Sequence, residues 1–135
     1  MQLVRYLYAA VAVGFLAGVA YQVFLAGMAV FGAGQWANHV DFGYLVAAVP
    51  LLLVILAWPA RAGRSTLILS VVTLLVAQVQ TFLPAFREDL PVVAALHPVN
   101  AMLVFGCAVL VARRGIALAR QPLPAAPTAP DPVRA

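Results

Sequence analysis

Charge is what this chain has least of. No Asp, Glu, Lys or Arg occurs in residues 6–38, 42–60, 65–86 or 90–112, and charged residues make up 9% of the 135. Lysine is absent altogether, so the net charge of +4 comes from arginine alone. Cysteine is down to one, Cys107, which excludes a disulfide framework, a CxxC pair and a CxxCH haem attachment. Carboxylates that could join the histidines reduce to Asp41, Glu88 and Asp89 near the surface, so a three- or four-ligand zinc site is not expected. There is no basic stripe and no aromatic-interleaved patch, which excludes a nucleic-acid surface. The serines and threonines have no His–Asp constellation at any defensible spacing, so nucleophilic catalysis has no support.

What is present is apolar. Hydrophobic residues reach 65% and the mean hydropathy is +1.03. A helix needs about 20 apolar residues to cross the hydrocarbon of a bilayer, and each charge-free run holds one such helix. Backbone groups in lipid must be satisfied within the segment, and these runs lack the alternation of barrel strands. The expected fold is all-α: a transmembrane four-helix up-down-up-down bundle, with spans at about 4–31, 36–58, 66–86 and 92–113. Residues 1–114 form the bundle, with halves at about 4–58 and 66–114. The tail 115–135, rich in Pro and Ala, is expected to be disordered and cytoplasmic. The first span is too long for the apolar core of a signal peptide and is expected to be retained.

Arginine placement gives an orientation. Arg5 precedes the first span, Arg61 and Arg64 lie between the second and third, and Arg113, Arg114 and Arg120 follow the fourth. The 32–38 loop has no positive charge, and Arg87 is offset by Glu88 and Asp89. The positive-inside rule therefore places both termini in the cytoplasm. Asp41 and Arg87 are expected to pair on the other side. Trp36, Tyr44 and Trp58 read as interface residues.

The chain repeats itself. Gln22 precedes His39 by seventeen positions and Gln80 precedes His97 by the same interval, so both recur at an offset of 58. These are the only two histidines. In an antiparallel bundle the second and fourth spans are diagonal and parallel, so both imidazoles fall at similar depth and can face each other across the centre. Gly43 and Ala101 lie four residues beyond each histidine, one turn deeper on the same face, and leave space for a flat ligand. Gly14 and Gly18 form a GxxxG that Gln22 continues. Neutral imidazole is a good ligand for iron, and histidines on facing helices of a bundle are a recurring haem site. The expectation is one haem b with His39 and His97 as axial metal ligands, Gly43 and Ala101 making room, and Gln22 and Gln80 beside the ligands. The other reading makes the glutamines interhelical hydrogen-bonding groups and the histidines structural or interfacial. Pro50 is expected to kink the second span. Pro98 makes the fourth span either kink at His97 or begin there.

At His39-Val-Asp-Phe-Gly-Tyr-Leu and Leu96-His97-Pro-Val-Asn-Ala the chain resembles a family of small bacterial four-span membrane proteins of unknown function, over about residues 5–114. That resemblance implies a multi-pass protein of the bacterial inner membrane. In architecture the chain is also similar to b-type cytochromes, including the cytochrome b561 type, and to half of a haem A synthase, which implies haem held by histidines of a four-helix bundle. The leading reading is then electron transfer through that haem, with a quinone or another redox partner, and a third reading is a quinone or small-lipophile site built on the same polar ring. The chain differs in having one histidine pair, which implies one bis-histidine haem, and in lacking the Glu-x-x-His element of haem A synthase.

Overall fold

The computed structural model describes residues 1–122. Among them the chain forms α1 (Gln2–Val30), α2 (Trp36–Ala57), α3 (Arg64–Phe82), a 3₁₀ turn (Leu83–Phe86), a short α4 (Pro91–Ala94) and α5 (Leu96–Arg120), and no strand. Among the described residues, four helical segments are long and apolar enough to cross a membrane: Gln2–Val30, Trp36–Ala57, Arg64–Phe86 and Pro91–Arg120. The architecture is the four-helix bundle of a multi-pass membrane protein. Its outer face carries large apolar side chains such as Leu3, Phe24, Leu45, Ile55 and Leu75, which only lipid or another apolar surface can cover.

Helix order is set by loop length. Short connections force antiparallel neighbours, and each long helix packs on the next around a closed ring, with α1 against α5 completing it. The diagonal pairs, α1 with α3 and α2 with α5, have no close backbone approach. They meet only through side chains at the centre.

The repeat runs through much of the interior. On α1 the buried positions include Tyr8, Ala12, Phe15, Val19 and Leu25; adding 58 gives Thr66, Ser70, Thr73, Ala77 and Leu83, all buried. On α2 and the loop after it, Val46, Pro50, Leu53, Ala57 and Ala60 map onto Val104, Ala108, Val111, Gly115 and Leu118, again all buried. At these positions the two hairpins turn the same face inward. The two copies differ in bulk: α1 contributes the rings of Tyr8 and Phe15 where α3 contributes Thr66 and Thr73. A close-packed axis has room for one such set of large side chains. The small α3 hydroxyls are satisfied locally, Ser70 Oγ donating to the Thr66 carbonyl at 3.0 Å and Thr73 Oγ1 to the Leu69 carbonyl at 2.7 Å. Tyr8 then donates its hydroxyl across the diagonal to Ser70 Oγ at 2.9 Å.

Three expectations need correction. The last helix does not stop at Gly115 but continues to Arg120, so 115–120 is helix and not tail. Gly115 is small because α1 presses on it: a Cβ there would lie 3.0 Å from Ala9 Cα and 3.3 Å from Tyr8 Cδ1. The remainder of the proposed tail, 123–135, lies outside the described residues. Second, the GxxxG is half used. A Cβ on Gly18 would meet Val46 Cγ2 at 3.1 Å, while one on Gly14 would meet nothing within 4 Å among the described residues, because Gly14 faces outward. Third, Arg87 pairs with its neighbour Glu88 at 3.5 Å, not with Asp41.

The two prolines behave differently. Pro50 is buried in an unbroken α2. Pro98 decides where the last helix starts: lacking an N–H, it cannot bond the Ala94 carbonyl one turn back, and Ala94 is where α4 ends. α5 therefore starts at Leu96 with Pro98 in its first turn. The segment Pro91–Ala94 is a separate turn of helix.

A paired-histidine site at one pole

The bundle has two unlike poles. Arg5, Arg61, Arg64, Arg113, Arg114 and Arg120 gather at the pole carrying the start of α1 and the end of α5. The opposite pole holds both histidines, because α2 and α5 both begin there.

His39 sits in the first turn of α2 and His97 is the second residue of α5, which puts both half-buried rings at the same level of the bundle. Their centroids are 6.2 Å apart and their planes 75° from parallel. The diagonal helices meet here through the two imidazoles. Trp36 stands edge-on to His39 at 5.9 Å.

The seventeen-residue interval has a structural meaning. His39 Nδ1–H donates to the Gln22 carbonyl at 3.2 Å, and His97 Nδ1–H donates to the Gln80 carbonyl at 3.0 Å. In each half, an imidazole from the start of the second helix reaches back to the neighbouring helix of its own hairpin. A carbonyl can only accept, so it fixes the proton on Nδ1 and leaves Nε2 with its lone pair. This is the arrangement in which a histidine serves as a metal ligand or a base through Nε2.

The glutamine side chains are where the halves part company. Gln22 Nε2 donates to the His39 carbonyl at 2.9 Å, and Gln22 Oε1 is buried with no hydrogen-bond partner among the described residues. The space at Gly43 belongs to this amide: a Cβ on Gly43 would lie 2.5 Å from Gln22 Nε2. Gln80 instead turns its Nε2 to His97 Nε2 at 3.2 Å and accepts from Asn100 Nδ2 at 2.7 Å. Asn100 Nδ2 also donates to the Val76 carbonyl at 3.0 Å. Ala101, the counterpart of Gly43, is half-buried one turn beyond His97.

The structure thus brings His39, His97, Gln22, Gln80 and Gly43 into one cluster, and adds Asn100, which the sequence reading passed over. The signal was available: an amide inside an apolar span costs free energy unless it has partners. A second amide is also new. Gln78 Nε2 donates to the Ala47 carbonyl at 2.9 Å and ties α3 to α2.

No curated protein and no solved structure matches this chain. Residues 22–86 match the model of a family of unknown function, DUF6220, a segment that starts at Gln22, contains His39 and Gln80, and ends before His97.

Proposed function

We propose that this integral membrane protein holds one haem b between His39 and His97 and passes electrons through it. The observation that carries the reading is the 6.2 Å between ring centroids. Two metal–nitrogen bonds of about 2 Å, each extended by roughly 1 Å from nitrogen to ring centre, span about 6 Å. Two rings near a right angle can both contain the ligation axis, and the Nδ1–carbonyl bonds supply the tautomer that ligation through Nε2 requires. His39 Nε2 has no partner among the described residues. His97 Nε2 is capped by the Gln80 amide, and Gln22 fills the space beside Gly43. A porphyrin would need both glutamine side chains to turn aside, with Gly43 and Ala101 leaving the room they vacate.

A second reading rests on those same amides. They join the glutamines to the histidines without any ligand, as interhelical bonds do in a haem-free structural or transport-accessory protein. One spectrum separates the two. Protein purified in detergent after haem-replete expression should show reduced-minus-oxidised haem bands that vanish in His39→Ala and in His97→Ala. Absence of bands, or bands that survive both substitutions, would leave the haem-free reading.

The arginine pole faces the cytoplasm in this proposal, by the positive-inside rule. The histidine pole then lies in the outer leaflet of a bacterial inner membrane, with a quinone or a redox protein as its partner.

A further inference from the structure

Beside the histidine cluster, an open crevice of about 200 Å³ lies between α3 and α5, lined by Val79, Leu83, Leu96, Val99, Asn100 and Leu103. Its rim is lipid-facing: Val79, Leu96, Val99 and Leu103 are each about half exposed. Leu83 and Asn100, each 8% exposed, form the floor. Asn100 is the one polar residue of the lining.

The hydrogen bonds around Asn100 run in one direction. Its Nδ2 faces two acceptors, the Val76 carbonyl and Gln80 Oε1, which fixes the amide's orientation. Gln80 is then committed to donate from Nε2 to His97 Nε2, and His97 donates from Nδ1 to the Gln80 carbonyl. Each group donates to the next, from Asn100 through Gln80 to His97. Aligned chains of this kind strengthen one another in a low-dielectric interior. The first member lacks its own donor: Asn100 Oδ1 accepts no hydrogen bond among the described residues. An acyl chain in the crevice would cover that oxygen without satisfying it.

We propose that this crevice binds a membrane-borne hydroquinone, with its ring against Val79, Val99 and Leu103 and one hydroxyl donating to Asn100 Oδ1. An apolar space of about 150 Å³ is enough for a benzene ring, so the volume suits one substituted aromatic ring with its tail in the bilayer. The hydroxyl completes the chain that ends on His97. The inference goes beyond the haem reading and does not depend on it: Asn100 keeps its bond to Val76 and its free oxygen whichever way Gln80 turns.

The test uses the full chain in lipid nanodiscs, free of porphyrin, titrated with a decyl hydroquinone and with its dimethyl ether, which keeps ring and tail but cannot donate. The hydroquinone should raise the thermal midpoint saturably. The ether, and the hydroquinone with Leu103→Trp or Asn100→Leu, should bind at least about tenfold more weakly. Leu103 is on the exposed rim, so its variant decides the matter if Asn100→Leu does not fold. Absence of a saturable shift, equal binding of the ether, or undiminished binding to Leu103→Trp would overturn the proposal. Porphyrin-free protein keeps this result separate from the haem spectrum, so either idea can fail alone.

Discussion

Three glycines of this chain look alike in a sequence and differ in what stands over them. At Gly43 the obstacle is the tip of a flexible side chain, Gln22 Nε2, at 2.5 Å from a built Cβ. Alanine there would push the amide off the His39 carbonyl, losing a hydrogen bond of about 1 kcal/mol. Alanine also stabilises a helix interior by about 1 kcal/mol over glycine. The two effects cancel, so Gly43→Ala should change stability by less than about 0.5 kcal/mol. At Gly115 the obstacle is α1 itself, with Ala9 Cα at 3.0 Å. Backbone cannot swing away, and Gly115→Ala should cost about 1–3 kcal/mol as α1 and α5 are forced apart. Gly14→Ala meets nothing among the described residues and should stabilise by up to about 1 kcal/mol. Unfolding of the three variants in one detergent checks the order; a Gly43→Ala as costly as Gly115→Ala would mean that the Gln22 amide is held rigidly. The GxxxG pattern alone pointed to Gly14 and Gly18 together, because spacing on a helix says which residues share a face and not how wide the contact is.

At the scale of elements, the duplicated hairpin explains both what the sequence disclosed and what it hid. An offset of 58 carries Ala57 to Gly115 and Ala60 to Leu118, and all four are buried. Applied along the whole of α2, which ends at Ala57, the repeat closes α5 at Gly115, and the glycine with the prolines downstream reads as the same boundary. The five further helical residues to Arg120 are where the second half departs from the first. The same offset takes Phe42 to Asn100, and a reading that seeks matches passes over the site where the copies differ. Side-chain partners of Gln22 and Gln80 were equally hidden, since their rotamers depend on those differing neighbours. The proline at the joint of α4 and α5 gives a prediction. Pro98 sits where an N–H would reach the Ala94 carbonyl, and Ala95 between the two helices already has helical backbone, φ −65° and ψ −13°. Pro98→Ala should fuse them into one helix from Pro91 to Arg120. Hydrogen exchange would then show a protected amide at residue 98, with a stability change within about 1 kcal/mol, because a first-turn proline costs its helix little. An unprotected amide would place the break in Leu90–Ala95 itself and not in the proline.

For the molecule as a whole, the two poles are chemically distinct, and the distinction predicts an orientation. Six arginines gather at one end, where Arg5 is 6% exposed and held by the carbonyls of Ala60 at 3.3 Å and Gln121 at 3.2 Å. Asp41, Glu88 and Asp89 are all at the other. Fold class was legible from composition because a bilayer leaves so few alternatives: long uncharged runs must be helices, and short loops must make them antiparallel. The orientation follows from a weaker physical bias, the retention of arginine on the cytoplasmic side, and it can be read directly. Cys107 is the single cysteine and lies half-buried in the middle of α5, so Cys107→Ala gives a background for introduced thiols. Ser65→Cys lies exposed at the arginine pole and Ala33→Cys exposed in the loop at the histidine pole. In intact cells a membrane-impermeant maleimide should label Ala33→Cys and reach Ser65→Cys only after the membrane is opened. The reverse pattern would turn the bundle over and put the histidine pair, with the crevice beside it, in the cytoplasmic leaflet, where any electron partner would have to be sought on the other side.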